Sequence, residues 1–174
     1  MPMRTASIAA LVAGIASAAD WLVQLRHTQP DSHWQGIDVL IEIVFALSLI
    51  ATAVALQGFP RWLGAGRVGR VGAIVAQAGF LLLFISAVAS AIAGGNTLGP
   101  AFSLGLLLAL LGQLVLAVAG LVRSRRRSAA AVPFAGLLLS VLAAPFGGQL
   151  LLGVAWLTLG WAMGARSARS AVLA

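Results

Sequence analysis

The 174-residue chain contains no Cys, no Lys and no Tyr, and only four acids. Without Cys there is no disulfide, no iron–sulfur cluster, no thiolate zinc site, no c-type haem attachment and no Cys nucleophile. Without Lys there is no covalent retinal and no pyridoxal Schiff base. Charged residues make up 9% of the chain, against about a quarter in a soluble domain. So few charges leave the surface of a soluble fold uncovered. That excludes an ordinary soluble enzyme, a disordered tail and a nucleic-acid-binding domain.

What is present is apolar. Hydrophobic residues reach 61% and the mean hydropathy is +1.04, as in a polytopic membrane protein. A crossing helix needs about 20 apolar residues. The runs predict helices at about 5–25, 37–57, 71–93 and 100–122. The uncharged stretch from Ala129 to Ala165 is too long for one crossing and is broken by Ala-Pro-Phe-Gly-Gly at 144–148. It is expected to form helices at about 130–144 and 148–165. The fold expected is therefore an all-α single transmembrane domain, a bundle of six helices in three hairpins. Five helices with a re-entrant fifth segment are the alternative. Arg4, an apolar stretch and Ala16-Ser17-Ala18 resemble a signal peptide. The apolar run continues to Leu25, so this segment is expected to remain as a helix.

The net charge of +7 comes from eleven arginines in short clusters between uncharged runs. Arg61, Arg67 and Arg70 follow the second run; Arg123, Arg125, Arg126 and Arg127 follow the fourth; Arg166 and Arg169 follow the sixth. The turns Gly94–Gly99 and Phe146–Gln149 carry no charge. This is the positive-inside pattern of a bacterial cytoplasmic membrane protein with both termini in the cytoplasm. The Ala-, Gly- and Arg-rich composition fits a GC-rich bacterial genome. The expected partners are the bilayer itself, anionic lipids contacted by these arginines on the cytoplasmic side, and a second copy or another membrane protein, but no nucleic acid. Gly64-Ala-Gly-Arg-Val-Gly69 spells a dinucleotide fingerprint, but no strand precedes it and no acid follows to bind a ribose. Its glycines are expected to leave backbone N–H groups open toward lipid phosphates.

Small residues recur at helical spacing: Ala10, Gly14 and Ala18; Gly105, Ala109, Gln113 and Ala117; Gly160 and Gly164. Such ridges let helices approach closely in lipid. Gln77 and Gln113 are interhelical polar candidates and are expected to hydrogen-bond with each other. Trp156 is expected to pack between helices or line a pocket.

The chemistry-bearing residues cluster. Asp20, Asp31, Asp38, Glu42, His27 and His33 all lie within one short stretch, and no acid or His follows Glu42. Asp38 and Glu42 share a helix face, and Asp20 and Glu42 each lie about a turn inside the bilayer. Ionisable groups at such depth are candidates for function. Asp20, Asp38, Glu42, His27 and His33 are therefore candidate ligands for a cation or proton. The spacing of the two histidines matches no metal motif, so no metal site is expected. The absence of interior His excludes bis-His haem, and the scattered serines form no nucleophile constellation.

Three functions follow in order. The first is a non-enzymatic integral membrane protein that binds a partner protein, lipid or apolar small molecule between its helices. The second is a small transporter or channel module that uses the outer carboxylates. The third is an outer-face membrane enzyme.

Overall fold

The computed structural model describes residues 3–25, 36–94 and 99–172. They are helical almost throughout: α1 (Met3–Gln24), α2 (Gly36–Leu63), α3 (Gly66–Ala93), α4 (Gly99–Arg123), α5 (Arg127–Leu142) and α6 (Gln149–Val172), with a single 3₁₀ turn at Ala144–Phe146 before α6. The first four are long and apolar enough to cross a membrane; α5 and the stretch Gln149–Ala165 are shorter apolar helices. A low-dielectric solvent offers no partner to a free N–H or C=O, so the backbone satisfies itself within helices despite the many Val and Ile.

The long helices outrun the apolar runs at the arginine-rich end. α2 continues through Pro60 to Leu63, and α3 begins at Gly66. Pro60 falls in the last turn of α2, and its carbonyl accepts the N–H of Ala65. The reversal is made by Gly64 and Gly66, at φ 71° and 70°, a region open to glycine at no steric penalty. At the other end Gly94 closes α3 in the left-handed conformation and donates to the Ser90 carbonyl.

Each helix packs on its neighbours in sequence, and α6 returns to pack on α1. The result is a closed ring of six helices. Within it α2 leans on α3 about as extensively as on α1. Helix α5 leaves the end of α4 through three residues, pinned by the Arg126 N–H donating to Ser124 Oγ at 2.9 Å. Its other end leads to Gly147, which lies against Trp21 near the end of α1. It therefore runs from one end of the bundle to the other.

Two seams hold the ring most tightly. On α1 and α6, a methyl group added at Gly14 would lie 2.6 Å from Leu157 Cγ and 2.8 Å from the Gly153 carbonyl. Ser7 Oγ donates across the same seam to the Gly160 carbonyl at 2.7 Å. On α3 and α4, a methyl at Gly79 would lie 2.6 Å from the Gly105 carbonyl, and one at Gly112 would lie 2.6 Å from the Gly72 carbonyl. These are backbone-to-backbone contacts that no side chain can yield to.

Gly79→Leu or Gly112→Leu should therefore lower stability by about 1–3 kcal/mol or more, the range for overpacking a tight contact. Gly99→Ala, with nothing within 4 Å of the added methyl, should leave it unchanged. Thermal unfolding in detergent measures the difference; equal midpoints for Gly79→Leu and the parent would show that the seam does not bear on stability.

Candidate functional site

The acids meet at the end of the bundle opposite the described arginines. Asp20 lies about 6 Å short of the end of α1, and Glu42 lies roughly 9 Å into α2. Asp20 is wholly buried, at 0% exposure, on a helix flanked by α2 and α6. The Gln24 amide, one turn away, donates to Asp20 Oδ2 at 2.9 Å. Asp20 Oδ1 has no hydrogen-bond partner among the described residues. Glu42 stands on α2, which packs against the helix that carries Asp20. Asp38 is buried in the first turn of α2, where the helix dipole favours an acid.

Two further polar atoms are orphaned at this level. Ser17, one turn before Asp20, is fully buried and its Oγ has no partner; Gln149 Oε1 has none either. The α1–α6 register carries both to the same depth. A methyl at Gly153 would lie 3.5 Å from Ser17 Cβ, and Gln149 is one turn further along α6, beside the Gly147–Trp21 contact. Gly147 sits at φ 85° with the Trp21 indole where any Cβ would point, and Gly148 lies against the Ser140 carbonyl. Both positions exclude a side chain.

Glu42 also belongs to a second feature. A groove of about 390 Å³ lies between α2 and α3, with Glu42, Ile43 and Leu47 on one wall and Val88, Ala91 and Ile92 on the other. Ile43 and Ile92 are 55% and 83% exposed, so the groove opens on the outside of the ring. Glu42 is the only ionisable residue that lines it among the described residues.

The remaining candidates are dispersed. His27 and His33 lie outside the described residues. Gln77 and Gln113 do not pair: Gln77 Nε2 donates to the Ala53 carbonyl on α2 at 2.8 Å, and both ends of the buried Gln113 amide lack a partner. Trp156 is fully buried and meets Phe59 edge-on, with ring centroids 6.3 Å apart. Its indole N–H is also unpartnered. Phe59 stacks on Trp62 at 5.7 Å, and the Arg126 guanidinium lies over Trp62 at 4.3 Å while donating to the Trp62 carbonyl at 3.2 Å. Arg126 is thus a structural clamp for the α4–α5 link. Arg61, Arg67, Arg70, Arg123, Arg125 and Arg127 are exposed, and a methyl at Gly66 would lie 2.8 Å from the Arg123 guanidinium. Of the glycine N–H groups expected to be open, those of Gly64 and Gly69 donate to the Arg61 and Ala65 carbonyls, and the Ala65 N–H between them donates to Pro60. Gly66 stands at the first position of α3, where a helix N–H has no intrahelical acceptor.

Sequence reasoning missed Ser17, Gln24, Gln149 and the α3 wall of the groove. Ser17 stands one turn from Asp20 and could have been found by helical spacing. The groove has no local signal. No protein-family model, no curated protein and no solved structure matches the chain.

Asp20→Asn keeps the side chain's size and an acceptor for Gln24 while removing a carboxyl group from a buried setting. It should leave the unfolding midpoint unchanged or raise it. A loss of more than about 1 kcal/mol would mean that Asp20 serves the fold and has no other part to play.

Proposed function

We propose that this chain is an integral protein of a bacterial cytoplasmic membrane, crossing it six times, that takes an apolar molecule from the bilayer into the groove between α2 and α3. The observation that carries this reading is the groove itself: apolar walls, an opening on the outer surface of the ring, and, among the described residues, a single carboxylate along its length. Small-molecule sites have this character, mostly apolar with few polar groups that fix orientation. Six crossings are supported by the end-to-end course of α5. At 16 residues it is about 24 Å long, shorter than the hydrocarbon core of about 30 Å, a mismatch that local thinning accommodates.

The orientation follows from charge. The exposed arginines of the α2–α3 and α4–α5 turns would face the cytoplasm, where their guanidinium groups meet the phosphates of anionic lipids. No carboxylate lies in the chain beyond Glu42 to pair with them. Both termini would share that side. A second reading, movement of a cation or proton through the acidic end, is favoured by the three orphaned oxygens of Asp20, Ser17 and Gln149.

The absence of Cys makes the topology directly testable. Ala93→Cys, in the last turn of α3, should react with a membrane-impermeant maleimide added outside intact cells. Ser128→Cys, on the first turn of α5, should react only after the membrane is opened. The reverse pattern would invert the orientation.

The groove is tested by filling it. Ala91→Phe should weaken binding of an apolar fluorescent rod such as diphenylhexatriene to the purified protein by about tenfold, read as loss of energy transfer from the protein's tryptophans. Unchanged transfer with an unchanged fold would remove the groove as a binding site.

A further inference from the structure

We infer that the groove's ligand is a cation with an apolar body: a molecule that dissolves in the bilayer and presents an ammonium or similar positive centre to Glu42. This inference rests on the groove reading above and adds the charge of the occupant. Three observations carry it. First, among the described residues Glu42 is the only ionisable group on the groove's walls, set among Ile43, Leu47, Val88 and Ile92. A ligand seated there covers the carboxylate with apolar surface. An anion would be repelled, and a neutral body would desolvate the carboxylate with nothing in return.

Second, Glu42 does not stand alone. Asp20, fully buried, stands on α1, which packs against α2. Asp20 Oδ1 is unpartnered among the described residues, which leaves a second carboxyl group at this end with no donor beyond the single Gln24 amide. Third, no described basic side chain balances it. Arg4, Arg61, Arg67, Arg70, Arg123, Arg125, Arg126 and Arg127 all belong to the opposite end of the ring. The long helices α1–α4 put roughly 30 Å or more between these arginines and the acidic end. A positive centre entering from the membrane is thus the complement that Glu42 lacks among the described residues. Its apolar body accounts for the walls, and its charge accounts for Glu42.

The probes are three fluorescent rods of one shape: neutral diphenylhexatriene, its trimethylammonium derivative and its propionate derivative. Each is titrated into the full-length protein in uncharged detergent, with energy transfer from tryptophan as the readout. The cationic rod should bind about tenfold more tightly than the neutral one, and the anionic rod most weakly. Glu42→Gln should abolish the difference between cationic and neutral rods while leaving neutral binding in place. Asp20→Asn should reduce the difference in part. Ala91→Phe should weaken all three alike.

Equal binding of neutral and cationic rods to the parent protein would overturn the inference and leave the groove reading standing. So would a cation preference that survives Glu42→Gln. If none of the rods binds, or if Ala91→Phe changes none of them, the groove reading itself fails. An unfolding midpoint of Glu42→Gln within about 1 kcal/mol of the parent shows that loss of preference is not loss of fold.

Discussion

Between helices immersed in lipid there is no hydrophobic drive, because lipid tails are as apolar as leucine. What remains is dispersion between surfaces that fit, and dispersion falls steeply with distance. The close approach of backbones at the Gly14–Gly153 and Gly79–Gly105 seams is therefore the constraint from which the rest of the fold follows. Glycine removes the side chain that would hold the axes apart. With the α1–α6 seam closed, Ser17 and Asp20 are shut away from the surface. With the α3–α4 seam closed, the lean of α3 toward α4 is set, and so is the space left between α3 and α2. The buried acid and the open groove are two results of the same economy of side chains.

The two ends of the ring then acquire different physics. At the arginine end, charge is exposed and aromatic surface supports it: Phe59, Trp62 and Arg126 form a stack that ties α2 to the α4–α5 link. Arg suits this task because its flat guanidinium stacks and donates at once. At the acidic end the charges are withdrawn inside the bundle. Asp20 has a single described donor, the neighbouring Gln24. An end whose polar groups are exposed has solvent and headgroups to satisfy them. An end whose polar groups are buried and incompletely matched stores a demand for something else. That contrast, more than any single residue, directs attention to α1, α2 and the α2–α3 groove.

Much of the fold was legible in the sequence because crossing helices are written as uninterrupted apolar runs. The runs locate helices well and their ends poorly. A run stops at the first charge, whereas the helix continues through Pro60 and Arg61 into the interfacial region where charge is tolerated. The small-residue ridges were readable for the same reason that they work: spacing of four on a helix is one face. Partner identity was not readable, and Gln77 chose the Ala53 carbonyl on α2 instead of Gln113 on α4. Helical register places a residue on a face, but which neighbour that face meets depends on the whole ring. The acids of the site were visible by their rarity. The groove was invisible, since Glu42 and Ala91 lie far apart in sequence and become neighbours only through the α2–α3 packing. The turn glycines were visible as breakers, but Gly147's role as the seat of the Trp21 indole needs the fold.

The ring closes between its first helix and its last. α1 precedes the other five helices in the chain, so the face that carries Gly14 and Ser17 waits until α6 has been made. During synthesis that face must either meet lipid with Ser17 uncovered or be shielded by something temporary. Until Gly147 arrives, the Trp21 indole has no seat. Assembly of this protein is thus a matter of timing as well as of affinity: the α1–α6 seam can close only after α6 has been made, and a chain interrupted before α6 keeps an open face on α1.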